Sequence, residues 1–392
     1  MSLTDFQTLV LDEGLAEWFA NHGGASASTI AEKLSVSHEQ ALAAVEELAH
    51  LGYGTLNRDV KLVALSFDPA NPSGGFTQRP FTTHIFFPSR GALRRAFYAS
   101  ELPAQNLTEY VVRLHLGTQQ IELIFFSEEV LSRYFDHPEL YDISDSLAGG
   151  EINARGEDVD DRYLYVRYGK CRLRDGRIAV TAICKDLADM GVLEQRYWHS
   201  HELVKPDLES SDPNFQAFLG RTYDGSWVEY PDPIADLIAA MRSLNSIVSP
   251  GALFTRLENV HLRAPVEQTY KSFCDCASEL YKIIGPDALS QATMKDILQN
   301  RLGLSASDFV HHQSKRPLSS SQLLALLEQQ FKLPGSLSEV LRKVSALRVD
   351  ADHKILNRDE KPSTYSEQFA ALCSQATAAV EELAGALTPS TE

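Results

Sequence analysis

The spacing of apolar positions is helical at both ends of the chain and mixed in between. From about Pro250 onward every periodic run repeats at three and four residues. These runs predict helices around Gln268 to Ile284, Ala292 to Leu302, Ser319 to Phe331, Leu337 to His353 and Tyr365 to Leu387. Between about residues 80 and 205 the pattern shortens. His84 to Phe87 and Ile121 to Phe126 are short apolar runs that predict buried strands, and Glu128 to Phe135 predicts a helix. Tyr163 to Arg174 and Arg177 to Ile183 alternate around Asp175-Gly176, a strong signal for a β-hairpin. A helix over Asp186 to Gln195 and a strand over Tyr197 to Val204 follow. Residues 211–249 read as a connector with a helix at Ile234 to Leu244. No internal repeat of 20 to 50 residues is evident.

The first 67 residues carry their own pattern. Leu11 to Ala20 predicts a helix that buries Leu11, Leu15, Phe19 and Trp18. Ser26-Ala27-Ser28-Thr29 supplies caps for a second helix at Ile30 to Leu34. Ser37 caps a third, in which Ala41, Leu42, Val45 and Leu48 share a face. Gly52 and Gly54 end it, and Val60 to Phe67 predicts a strand. This order resembles the winged helix-turn-helix of many bacterial regulators. A winged helix that reads DNA places basic and amide side chains on the exposed face of its third helix. Here that face offers His38, Glu39, Gln40, Glu46, Glu47 and His50, and the module's only basic residues are Lys33, Arg58 and Lys61. The expectation is a module that contacts protein or dimerises. Asp68-Pro69-Ala70-Asn71-Pro72-Ser73-Gly74-Gly75 reads as a linker.

Length and charge narrow the picture. At 392 residues the chain is too long for one ordinary core. Its net charge of −17 argues against a protein that coats nucleic acid or anionic lipid, so any contact with a polyanion must come from a local basic patch. No apolar run approaches the ~20 residues of a membrane span. The Met1-Ser2-Leu3-Thr4-Asp5 start lacks the basic and apolar stretches of a signal peptide. Five scattered cysteines, Cys171, Cys184, Cys274, Cys276 and Cys373, give no disulfide framework and suggest a reducing, cytoplasmic setting.

Several clusters could carry chemistry. Arg167, Lys170, Arg172, Arg174 and Arg177 crowd the hairpin, and Lys170, Arg172 and Arg174 alternate. They are either a ribbon that contacts phosphates or a solvated tip paired with Glu157, Asp158, Asp160 and Asp161. His199 and His201 would face the same way in a strand, but no third ligand accompanies them, and a hydrogen-bonded pair is the simpler reading. Cys274 and Cys276 would point about 200° apart on a helix, which suits buried thiols better than zinc. No metal or cofactor is expected. Gly149-Gly150 lacks the spacing and lysine of a phosphate loop. His311-His312-Gln313 reads as a polar loop between helices.

One pair points to a particular reaction. In Leu347-Arg348-Val349-Asp350-Ala351-Asp352-His353, an arginine and a histidine stand five residues apart in a helical run, with a second helix after them. Arg196/His201 and Arg256/His261 share the spacing but not the all-helical setting. This C-terminal region resembles the HEPN domains, whose R-x4-6-H signature is found in many bacterial RNA-cleaving toxins and defence nucleases. The resemblance covers about 140 residues. Val349 follows the arginine where the family often has a polar residue. It implies a homodimer in which paired motifs face one cleft, RNA as substrate, and Arg348 and His353 as catalytic residues acting without a metal. Five helical steps leave the two side chains ~140° apart on one intact helix. Either the helix ends between them or each serves a site shared with a second copy. In the bland alternative, Arg348 pairs with Asp352 one turn on.

The expected fold class is therefore multidomain α+β: an N-terminal winged helix-turn-helix over 1–67, a central mixed α+β domain with a basic hairpin over 80–210, a helical connector over 211–249, and a C-terminal all-α HEPN-like bundle over 250–392. The leading function is an endoribonuclease of toxin or anti-phage defence type. The other classes are a non-enzymatic transcriptional regulator that binds DNA through the winged helix and dimerises through the C-terminal helices, and a structural subunit of a defence complex.

Overall fold

The computed structural model describes residues 3–67, 76–155, 163–225, 232–258, 260, 262–266, 269–333, 336–353 and 365–388. It is a mixed α+β chain that divides into two compact units. One comprises residues 1–124, 156–166 and 182–200; the other comprises 125–155, 167–181 and 201–392.

The first unit begins with α1 (Asp5–Asn21), β1 (Ala25–Ser26), α2 (Ala27–Leu34), α3 (His38–His50), β2 (Gly54–Phe67) and β3 (Phe76–Pro88). Helix α1 starts six residues before the expected Leu11, because Thr4 and Gln7 cap each other's backbone N–H reciprocally. Ser26 caps α2, and Ser37 with Gln40 caps α3. Val10, Leu15, Trp18, Ile30, Val45, Leu48 and Phe86 form the core. The three strands lie antiparallel in the order β1-β3-β2. A Cβ at Gly54 would come within 2.3 Å of the Phe86 ring, so only glycine admits this approach of β2 to the core. The boundary expected between 67 and 80 thus falls between paired strands: Gly54 sits opposite Pro88 and Phe67 opposite Phe76. Turn-forming composition marks a hairpin connection as readily as a domain linker. The Asp68 to Gly75 stretch itself lies outside the described residues.

Helices α4 (Arg90–Ala99) and α5 (Glu109–His115) follow. The chain then passes through β4 (Leu123–Ser127), α6 (Ser132–Asp136), β5 (Tyr141–Asp145), β6 (Gly149–Ala154), β7 (Tyr165–Arg172) and β8 (Ile178–Ile183). These strands form a sheet in the order β4-β8-β7-β6-β5. The Asp175-Gly176 turn is where the alternation placed it. Gly176 has φ of 89°, and its N–H bonds to the Leu173 carbonyl.

Residues 186–204 differ from their sequence pattern. The Asp186 to Gln195 helix is two short ones, α7 (Cys184–Asp189) and α8 (Val192–Ser200), and the strand expected from Tyr197 is the end of α8. Glu194, Gln195 and Trp198 are buried together at helical spacing, and the Gln195 amide binds the Ala188 and Met190 carbonyls at 2.9 and 2.8 Å. This tertiary anchoring overrides the strand preference of an aromatic, alternating stretch. The 211–249 connector is also mostly helical, with α9 (Pro213–Tyr223) and α10 (Pro233–Ile247) started by aspartate caps Asp212 and Asp232.

The C-terminal part of the second unit follows the sequence pattern closely. It contains α11 (Tyr270–Ile284), α12 (Gln291–Asn300), α13 (Ser320–Phe331), α14 (Leu337–His353) and α15 (Tyr365–Leu387). Helix α10 packs along α15, and α11 along α14. Leu244, Leu280, Val344, Phe369, Val380 and Leu383 meet in one continuous core, each inaccessible to water. Truncating such a leucine to alanine typically removes about 2–5 kcal/mol. No described helix is long and apolar enough to cross a membrane.

Candidate phosphate-binding site at Arg348

Helix α14 is continuous from Leu337 to His353, so it does not end between the arginine and the histidine. Leu337, Val340, Leu341 and Val344 form its buried stripe. Arg348 stands one turn beyond Val344, where the stripe runs out of core to cover. Its guanidinium therefore emerges at the bundle surface and lies over Tyr281 of α11, 4.9 Å from the ring centroid.

Around this contact is a small cleft of about 360 Å³, lined by Arg256, Ser278, Tyr281, Lys282, Asp287 and Arg348. Local structure explains how it is assembled. Ser278, Tyr281 and Lys282 recur at three and four residues and share one face of α11. Thr255 is fixed to the Ala288 carbonyl by both its N–H (2.8 Å) and its hydroxyl (3.0 Å). That double bond holds the neighbouring Arg256 beside the Pro286–Ala288 turn, which carries Asp287. Lys282 also meets Glu279 at 2.5 Å, an exposed pair on the helix. Among the described residues no ion pair engages Arg256.

Three cations thus converge with one lining carboxylate, in a chain of net charge −17. Two guanidiniums and an ammonium can grip the oxygens of a phosphodiester. The expected partner of Arg348, Asp352, has a side chain outside the described residues, and so has His353. The intact helix carries His353 about 7.5 Å along the axis and ~140° around from Arg348. Asp350, two residues after Arg348, accepts a 2.8 Å hydrogen bond from Tyr270, whose hydroxyl is held protonated by burial and by that carboxylate.

The basic hairpin is built differently. Lys170 is buried, 2.7 Å from Asp145, which also accepts the Tyr168 hydroxyl at 2.6 Å. Arg172 meets Glu367 and lies 4.0 Å from Glu209, Arg174 meets Asp207 at 3.4 Å, and Arg177 meets Asp175 at 2.7 Å. Arg167 is exposed on β7. Lys170 and Arg172 lie on β7 and Arg174 in the turn beyond it, and their surroundings range from buried to open. Glu157, Asp158, Asp160 and Asp161, the acids expected to pair with them, lie outside the described residues.

Other sequence candidates are placed as follows. His199 belongs to α8 rather than a strand, and His201 follows it, with Nδ1 3.2 Å from the Ser127 hydroxyl. All five cysteines are buried and none forms a disulfide, and burial pushes the Cys171, Cys276 and Cys373 thiols up to about 12. The described residues contain no group of three potential metal ligands. His311 and His312 sit in a turn closed by the His311 N–H on the Arg316 carbonyl.

Sequence reasoning named Arg348 but missed Arg256, Tyr281 and Lys282 as its companions. The shared face of α11 was legible; its juxtaposition with Arg256 and α14 was not. No protein-family model matches the chain, and no curated protein or solved structure does either.

Proposed function

We propose that this chain is an endoribonuclease of the toxin or phage-defence kind that holds an RNA phosphodiester at the Arg348 cleft. The observation that carries the reading is the convergence of Arg256, Lys282 and Arg348 in an otherwise acidic chain. The substrate's 2′-hydroxyl attacks the adjacent phosphorus. The bond to the 5′-oxygen breaks, and that oxygen leaves with a proton. The products are a 2′,3′-cyclic phosphate and a 5′-hydroxyl end. Arg348 holds the non-bridging oxygens as charge builds on them, and His353 moves the proton. Because the two lie ~140° apart on one helix, the histidine serving each cleft comes from a second copy, in a homodimer of HEPN-like bundles.

The first unit is read as a winged helix, on its element order and three-stranded sheet. Its third helix exposes His38, Glu39, Gln40, Glu47 and His50, and Arg58 from β2 is tied to Glu46 at 2.7 Å. That face repels phosphate, so the module is assigned to protein docking and not to promoter binding. Sub-micromolar, sequence-dependent binding of promoter DNA by the full chain would favour the non-enzymatic regulator instead.

The test is cleavage of RNA by the full chain in EDTA, beside His353→Ala and Arg348→Ala, with folding checked by circular dichroism. His353→Ala is expected to lose 10²–10⁴-fold in rate, and Arg348→Ala 10²–10³-fold. A DNA strand of the same sequence, lacking the 2′-hydroxyl, stays intact. Equal activity in all three proteins overturns the assignment.

A further inference from the structure

Arg348 is an exposed side chain in company that repels it. Arg256 and Lys282 line the same cleft, so like charge pushes the guanidinium outward. The many rotamers of a solvated arginine pull the same way. For an anion to find the charge in place, a contact within the cleft must offset both.

The ring of Tyr281 is placed to do this. The Arg348 guanidinium lies over it, 4.9 Å from the centroid, inside the ~6 Å range in which the negative face of an aromatic ring attracts a cation. The ring is itself fixed. Tyr281 is half-buried against the core of the helical bundle. One turn later the chain leaves α11 at the buried Gly285, whose N–H bonds to the Tyr281 carbonyl at 2.8 Å. A Cβ at Gly285 would stand 2.3 Å from that carbonyl and 3.1 Å from Cδ1 and Cε1 of the ring. Any larger residue there would displace the ring or the turn. That turn, Pro286–Ala288, carries Asp287 and, through the Ala288 carbonyl, fixes Thr255 beside Arg256. One glycine therefore seats the ring under Arg348 and starts the turn that holds Arg256.

We infer that Tyr281 is the positioning residue of this cleft: its ring, seated against Gly285, holds the Arg348 guanidinium beside Arg256 and Lys282 before an oxyanion arrives. The identity of that oxyanion rests on the proposed function; the contact itself does not. Holding the charge in advance matters most as the phosphorane forms, because a charge already in place needs no reorganisation at that moment. What Tyr281 offers the arginine is the face of its ring. Tyr281→Phe therefore keeps the contact and Tyr281→Leu removes it.

The experiment is a double-mutant cycle in the full chain: Tyr281→Leu, Arg348→Ala and the two combined, with Tyr281→Phe as the conservative variant. It is read twice, by kcat and KM on a single-stranded RNA and by the unfolding constant in urea. Tyr281→Leu is expected to lower kcat by roughly tenfold and to change KM by less than about threefold. Tyr281→Phe is expected to retain at least about half of the wild-type kcat. In the Arg348→Ala background, Tyr281→Leu is expected to cost less than about twofold. In urea, the effect of Tyr281→Leu on the unfolding constant is expected to be about two- to fivefold larger with Arg348 present than without it. Coupling in urea with no cleavage by any variant supports the positioning contact and removes the ribonuclease reading. Cleavage by wild type with no coupling in either measurement does the reverse. A Tyr281→Leu protein as active as wild type, a Tyr281→Phe protein as impaired as Tyr281→Leu, or equal losses with and without Arg348 overturns the assignment.

Discussion

The basic hairpin and the Arg348 cleft hold similar numbers of cations in different settings. On the hairpin, Lys170, Arg172, Arg174 and Arg177 each meet a carboxylate, supplied by Asp145, by Glu209 and Glu367, by Asp207 and by Asp175. In the cleft, Arg256, Lys282 and Arg348 share one lining carboxylate, Asp287, with Glu279 on the flank of Lys282. The hairpin is conspicuous in sequence because its cations crowd into eight residues, from Lys170 to Arg177; the cleft's are spread over 92 residues, from Arg256 to Arg348. Density of positive charge along the chain does not make an anion site. What decides is where the fold brings the carboxylates.

The largest effect is expected at Lys170. Its side chain is 8% exposed and that of Asp145 is 10%, so Lys170→Ala strands a buried carboxylate. Removing one partner of a buried pair typically costs about 3–5 kcal/mol. Urea unfolding is expected to show a loss of that order, whereas Arg174→Ala, at an exposed pair, changes stability by less than about 1 kcal/mol. Equal small losses at both positions would return Lys170 to the surface and reopen the hairpin as a ribbon for phosphates.

A smaller effect separates acid unfolding from catalytic titration. In the first unit, His22 and His115 face each other at 3.2 Å between ring nitrogens. Burial lowers both, and His22 falls to about 4. A histidine whose folded pKa lies below its unfolded value binds more protons when unfolded. Its stabilising share is present above about pH 6.5 and is lost as pH falls toward 4. Melting temperature is therefore expected to drop across that window in wild type, and less steeply in His22→Gln. Identical profiles would remove the pair as the cause. Any loss of RNA cleavage below pH 6 must be corrected for this unfolding before it is assigned to His353.

Much of the architecture was readable from spacing. The bounds of α14 and α15 and the Asp175-Gly176 turn follow directly from periodicity and turn chemistry. The misses have physical causes. Helix α1 begins six residues before its apolar periodicity because Thr4 and Gln7 cap it reciprocally. Helix α8 displaced a strand because Gln195 is tied back to the Ala188 and Met190 carbonyls and buried beside Trp198. The paired β2 and β3 closed what composition presented as a boundary. For the site, the sequence yielded one residue of the cleft, Arg348. Arg256 and Lys282 reach it only through tertiary packing, and no local pattern encodes which cations a fold brings together.

If phosphate is held at the Arg348 cleft and not on the hairpin, the salt dependence of RNA binding shows it. In the His353→Ala background, log K is plotted against log salt for a single-stranded RNA. Each lost phosphate contact flattens the slope by about 0.7. Combining Arg256→Ala, Lys282→Ala and Arg348→Ala is expected to flatten it by about 2, and combining Arg174→Ala with Arg177→Ala to leave it unchanged. A slope lowered by the hairpin pair and untouched by the cleft triple would contradict the account.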